Sequence, residues 1–162
     1  MKRRFVFWYL LSCAAGVGLH FLYGLWPNRL TMLFAPVQES VWEHLKLLYW
    51  PFLLGMAPLL ADAGDRQAFL GAALTGLLRM PPLLLSAYYV LSGAFGMEAT
   101  AVDIGLYFVV MAAGFYTVWR LRSAPAVRRC AGTLAMVAGL YGLMLVLFSL
   151  AAPQLPIFLP KI

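Results

Sequence analysis

The stretch Pro36-Val37-Gln38-Glu39-Ser40-Val41-Trp42-Glu43-His44-Leu45-Lys46-Leu47-Leu48-Tyr49-Trp50 places two carboxylates, an imidazole and an ammonium inside an apolar run, in a chain that is 64% hydrophobic and only 11% charged. Read as a helix at 100° per residue, Glu39, Ser40, Glu43, His44 and Lys46 fall within an arc of about 160°. Val41, Trp42, Leu45, Leu48 and Tyr49 fill the other side, which predicts one face toward lipid and one toward a polar site. Pro36 is expected to open this helix, at a position where its missing N–H does no harm. Glu39 then falls in the first turn, where the helix dipole favours a carboxylate.

Outward from this stretch the chain is apolar throughout. Its 162 residues have a mean hydropathy of +0.85, too apolar for a soluble domain and too short for more than one membrane domain. Five stretches are long enough to cross a hydrocarbon core of roughly 30 Å: residues 5–26, 37–61, 68–91, 101–119 and 130–150. The expected fold is an all-α, five-helix transmembrane bundle forming a single domain over residues 1–162.

Twelve cations set the expected orientation, because Lys and Arg of short loops are retained in the cytoplasm. With the N-terminus inside, Lys2, Arg3, Arg4, Arg66, Arg120, Arg122, Arg128 and Arg129 are cytoplasmic. Arg29 and Lys161 fall outside, and Lys46 and Arg79 lie within spans. The expectation is a multi-pass protein of the cell membrane, N-terminus cytoplasmic and C-terminus outside. The net charge of +6 is thus a topology signal, and no recognition motif suggests nucleic acid as a partner. The basic start resembles a signal peptide, but the apolar run continues to Trp26, longer than a signal core of 7 to 15 residues, so cleavage is not expected. Cys13 and Cys130 have neither disulfide nor metal spacing.

In the first span Cys13, Gly16, His20, Tyr23 and Gly24 share a stripe suited to close helix approach. An interfacial connection including Leu30 to Phe34 follows. The second span contains Pro51 and Pro58 and the third Pro81-Pro82, so both are expected to kink. The carbonyls of Leu47, Leu54, Leu77 and Leu78 lose their intrahelical donors. Glu98 and Asp103 belong to the outer start of the fourth span. The tail from Pro153, with three prolines, cannot form another helix.

His20 and His44 each lie about six residues from the outer end of their spans, near 9 Å deep at 1.5 Å per residue. If their faces meet, His20, Glu39, Glu43 and His44 share an outer-half pocket. Arg79 can snorkel outward toward Glu43, and Lys46 can pair with Glu43 at i,i+3. Three functions fit this set. The plainest is an ion-pair network that only locks helices together. The second is binding or translocation of a small polar solute or cation, with His20, Tyr23, Glu39, Ser40, Glu43 and His44 as ligands and Lys46 and Arg79 as charge balance. Intramembrane ionisable groups are functional candidates by default, and proline-freed carbonyls near the midplane are used by transporters. The third is a metal-dependent intramembrane hydrolase in which His20 and His44, with Glu43 or Glu39, hold a divalent cation and the other Glu acts as base, the leading metal set being His20, Glu43 and His44. No cofactor beyond such a metal is implied. Five helices are few for a transporter, so a homodimer is expected, with Ala14 and Gly18 or Ala135 and Gly139 available as its contacts. Serine catalysis at Ser40 lacks a nucleophile elbow, and a Ser near a helix start is more often a cap.

The segments Gly18-Leu19-His20-Phe21-Leu22-Tyr23 and Phe34-Ala35-Pro36-Val37-Gln38-Glu39-Ser40-Val41-Trp42-Glu43-His44-Leu45-Lys46-Leu47 together resemble the signature of a family of small prokaryotic membrane proteins known only as a domain of unknown function. That signature has Asn where this chain has Gln38. The resemblance implies a fold of five or six spans and makes His20, Glu39, Glu43, His44 and Lys46 a linked set. It implies no activity.

Overall fold

The computed structural model describes residues 2–97 and 99–159. The described residues are 83% helical and contain no strand. In chain order they form α1 (Lys2–Leu25), a short α2 (Thr31–Phe34), α3 (Val41–Ala61), α4 (Arg66–Tyr89), α5 (Thr100–Leu121) and α6 (Pro125–Leu150). A π turn, Val90–Ala94, extends α4, and a 3-10 turn, Pro156–Phe158, follows α6. All five long helices are long and apolar enough to cross a membrane, as the run lengths predict. Glu98 and Lys161, two charges expected on the outer side, lie outside the described residues.

Local chemistry fixes the helix ends. Asp65 caps α4 by accepting from the Ala68 N–H at 3.0 Å, and Pro125 starts α6 at its first turn, where a proline's missing donor costs nothing. That places the start of α6 five residues before the expected one. Between α1 and α2 the Asn28 side chain accepts from the backbone N–H groups of Leu30 and Thr31 at 2.8 and 3.0 Å, turning the chain into α2. The prolines at 51 and 58 lie inside α3, and those at 81 and 82 inside α4.

Two helices form the centre. α3 packs against α1, α4 and α6, while α4 packs against α3, α5 and α6. The side chains packed there, Phe52 of α3, Leu77 and Met80 of α4 and Val110 and Met111 of α5, are fully buried. This overturns the expectation that Trp42, Leu45, Leu48 and Tyr49 face lipid, since all four are buried. The reason is that α3 is covered on several sides. Tyr49 donates to the Ala138 carbonyl of α6 at 3.1 Å, and Trp42 stacks with Phe148 and Phe158. The stripe on α1 packs closely in its basal part: Cys13 and Gly16 are buried, and a Cβ on Gly16 would overlap the Tyr107 hydroxyl and press on the Leu47 carbonyl, whereas Gly24 is exposed with open space around it. That carbonyl, freed by Pro51, is thus covered by α1. Ala14, Gly18, Ala135 and Gly139 are exposed within the single chain.

The bundle has two chemically distinct ends. At the basal end, which carries the N-terminus, Arg4 pairs with Asp62, Arg128 with Asp65 at 3.4 Å, and Lys2 lies over the Trp119 ring. The distal end gathers α2, the start of α3 and the tail. There Gln38 donates to the Phe158 carbonyl at 2.8 Å, tying down the tail, whose described residues form one 3-10 turn and no further helix.

Candidate functional site

The start of α3 decides which acidic groups meet the histidines. Ser40 is its N-cap, with extended backbone (φ −100°, ψ 153°), and its hydroxyl accepts from the Glu43 N–H at 3.3 Å. Ser40-Val41-Trp42-Glu43 therefore has the spacing of a capping box, although the Glu43 carboxylate reaches further back, to the Val37 N–H at 2.9 Å. The helix begins at Val41, five residues later than expected from Pro36. Glu39 consequently lies in the connection before the helix and is free of its 100° periodicity.

The expected single pocket divides into two groups. One is sealed: Glu43 and Lys46 are 1% and 0% exposed, with Nζ 2.8 Å from Oε2. The ammonium also donates to the carbonyls of Met32 (2.8 Å) and Ala35 (3.2 Å), so each of its three protons has an acceptor. The other Glu43 oxygen lies 2.6 Å from the Ser149 hydroxyl of α6. Nothing in the sequence marked Ser149, which is 106 residues away from Glu43. This group binds the loop, α3 and α6 together.

The other group is open. Glu39, 67% exposed at its side chain, places Oε2 3.3 Å from His44 Nε2 and Oε1 3.9 Å from His20 Nε2. The two imidazoles are about one-third exposed, their ring centres 5.3 Å apart. One potential ligand atom from each of His20, Glu39 and His44 lies within 4.8 Å of the others. Glu43 does not belong to this set. Of the two carboxylates expected, Glu39 is the one beside the histidines, which corrects the leading set of His20, Glu43 and His44.

The tautomer of His44 follows from its neighbour. Nδ1 lies 2.8 Å from the Ser40 carbonyl oxygen, an atom that can only accept, so Nδ1 carries the proton. Nε2 then faces the Glu39 carboxylate. A neutral ring would set lone pair against lone pair at 3.3 Å, a repulsion relieved by a proton or a cation held between them. Donation of the second ring nitrogen to a backbone carbonyl is also how metal-bound imidazoles are oriented. In a tetrahedral site with bonds of about 2.0–2.1 Å, ligand atoms sit roughly 3.3–3.4 Å apart. The Glu39–His44 edge already has this length, and His20 Nε2 lies 3.9 Å from the other Glu39 oxygen.

The remaining expected residues are placed as follows. Tyr23 is half-buried, nearly one turn beyond His20 on α1. Ser40 serves as cap and as acceptor for His44. Arg79 does not turn toward Glu43. It donates to Thr117 of α5 at 3.3 Å, because its position on α4 points away from α3. Cys13 is buried and Cys130 exposed, both as free thiols.

No curated protein and no solved structure matches the chain. The profile of the family of unknown function DUF6512 matches residues 6–162, nearly the whole length, and the chain belongs to that family.

Proposed function

We propose that this membrane protein binds a divalent transition-metal ion at its distal end through His20, Glu39 and His44. The observation that carries the reading is the His44 ring, held by Ser40 so that Nε2 presents its lone pair to the space shared with Glu39 and His20. Two imidazoles and one carboxylate favour zinc, cobalt or nickel over magnesium or calcium, which prefer all-oxygen shells. Three protein ligands on an exposed rim leave a fourth position for water or for a small polar solute. The bias of Arg and Lys toward the basal end supports a distal end facing outward.

Two observations support binding over the other readings of the same residues. Hydrolysis needs a second acid beside the metal, and Glu43 is committed to Lys46, Val37 and Ser149. Passage of a cation inward along α3 meets the Lys46 ammonium and then the closed packing of Leu45, Leu48 and Phe52.

The test is a chelator-stripped preparation in detergent titrated with zinc, magnesium and calcium while thermal unfolding is followed. Zinc should raise the midpoint of the native protein and leave His44→Ala and Glu39→Gln unmoved. Equal responses from native and His44→Ala protein would end the proposal.

A further inference from the structure

Arg79 stands on the outward face of α4. It shares an exposed strip with Pro82, Leu83, Ser86 and Tyr89, the i, i+3, i+4, i+7 spacing of one helix face. This strip belongs to a 29-residue segment, residues 66–94, that is apolar enough to span a membrane. The guanidinium has five N–H donors, and the structure gives it one protein acceptor, the Thr117 hydroxyl oxygen. That hydroxyl spends its own proton on the Ala113 carbonyl at 2.8 Å. Among the described residues no carboxylate lies within 4 Å of Arg79.

Packing fixes the depth of Arg79. Gly76 meets the Gly114 carbonyl and Val118, and Gly114 meets Met80, so Arg79 lies abreast of about Phe115. Exposed Arg120, five residues on, is roughly 8 Å nearer the basal end at 1.5 Å per residue. Trp119 beside it carries Lys2 and Arg122 over its ring, a combination typical of the membrane–water boundary. Arg79 bends toward this boundary, since Thr117 is basal to its own level. Arg120 is three residues beyond Thr117, on the same side of α5.

The Arg79 guanidinium has room for an anion, and the acids among the described residues do not supply one. Glu39 belongs to the histidine site, Glu43 is sealed, Asp62 and Asp65 pair with Arg4 and Arg128 at the basal loops, and Asp103 lies in the distal first turn of α5. A second copy therefore offers none of these carboxylates on a flank at this depth. With Trp119 at the membrane–water boundary, the phosphates of the basal leaflet would lie just beyond Arg120.

We propose that the α4–α5 flank binds the phosphate of an anionic phospholipid of the basal leaflet, with Arg79 and Arg120 as donors and the acyl chains along Pro82, Leu83 and Ser86. Native mass spectrometry of the detergent-released protein tests it, with phosphatidylglycerol, phosphatidylcholine and inorganic phosphate as probes. Native protein should retain phosphatidylglycerol in preference to phosphatidylcholine. Arg79→Gln should weaken phosphatidylglycerol retention about tenfold, the effect of losing one hydrogen bond to a charged group. Arg120→Gln should weaken it too, which keeps the test decisive if Arg79→Gln does not fold, and Arg79→Lys should retain part of it. Unchanged retention in whichever of Arg79→Gln and Arg120→Gln fold overturns the proposal. So does displacement of lipid by millimolar inorganic phosphate, or a dimer that holds the native protein and is lost in Arg79→Gln.

Discussion

Removing both members of the Glu43–Lys46 pair should destabilise the bundle by less than the sum of removing each alone. The ammonium has three acceptors, at 2.8, 2.8 and 3.2 Å, and no exposure to water. Lys46→Met leaves a sealed carboxylate and the carbonyls of Met32 and Ala35 without their donor. Glu43→Gln preserves shape but leaves the ammonium without a counter-charge. Breaking a buried pair from one side costs about 3–5 kcal/mol. At roughly 2–4 °C per kcal/mol for a chain of this size, each single variant should unfold about 6–20 °C below the native protein. The double variant Glu43→Gln/Lys46→Met buries no isolated charge and should recover part of the loss, with a coupling of up to about 3 kcal/mol. Thermal unfolding of the four proteins in one detergent, read by the surviving monodisperse fraction, measures the cycle. Single variants within about 2 °C of native protein, a shift worth at most 1 kcal/mol, would refute the argument that the pair is sealed. A double variant as damaged as the sum of the singles would also refute it.

Other consequences are simpler. Zinc at one hundred times its dissociation constant should stabilise the native protein by about 2.7 kcal/mol, and Lys46→Met, if folded, should still respond, because the two groups are separate. Ser149→Ala should cost about 1–3 kcal/mol by removing a donor from the buried Glu43 oxygen without changing zinc binding. Gly71→Ala should destabilise by roughly 1–3 kcal/mol, since its Cβ would overlap the Val127 carbonyl of α6, whereas Gly139→Ala has open space around it and should be neutral or mildly stabilising, as unfolding measurements would show. Phe158→Ala should release the tail from Trp42 and Phe148, read as faster proteolytic clipping near Pro153.

The five helices long and apolar enough to span a membrane were legible because run length against bilayer thickness is a strong constraint, and the Glu43–Lys46 pair because i,i+3 residues are neighbours on a helix. The lipid-facing side of α3 was misread for a reason particular to membranes. Trp42, Leu45 and Leu48 are as suited to lipid as to a protein core, so apolarity alone does not show which neighbour covers a face. The position of Glu39 was recoverable. Ser40 with Glu43 three residues later is a capping signal, and reading it would have started α3 at Val41 and released Glu39 toward the histidines. Ser149 and Thr117 were not recoverable, because their contacts with Glu43 and Arg79 depend on how distant helices pack.

The central claim is that His20, Glu39 and His44 form one metal site. Zinc-edge X-ray absorption of the zinc-loaded protein tests it directly. The first shell should contain nitrogen and oxygen at about 2.0–2.2 Å with the outer scattering of two imidazoles, reduced to one imidazole in His20→Ala. A shell of oxygen alone, or a spectrum unchanged in His20→Ala and His44→Ala, would contradict it.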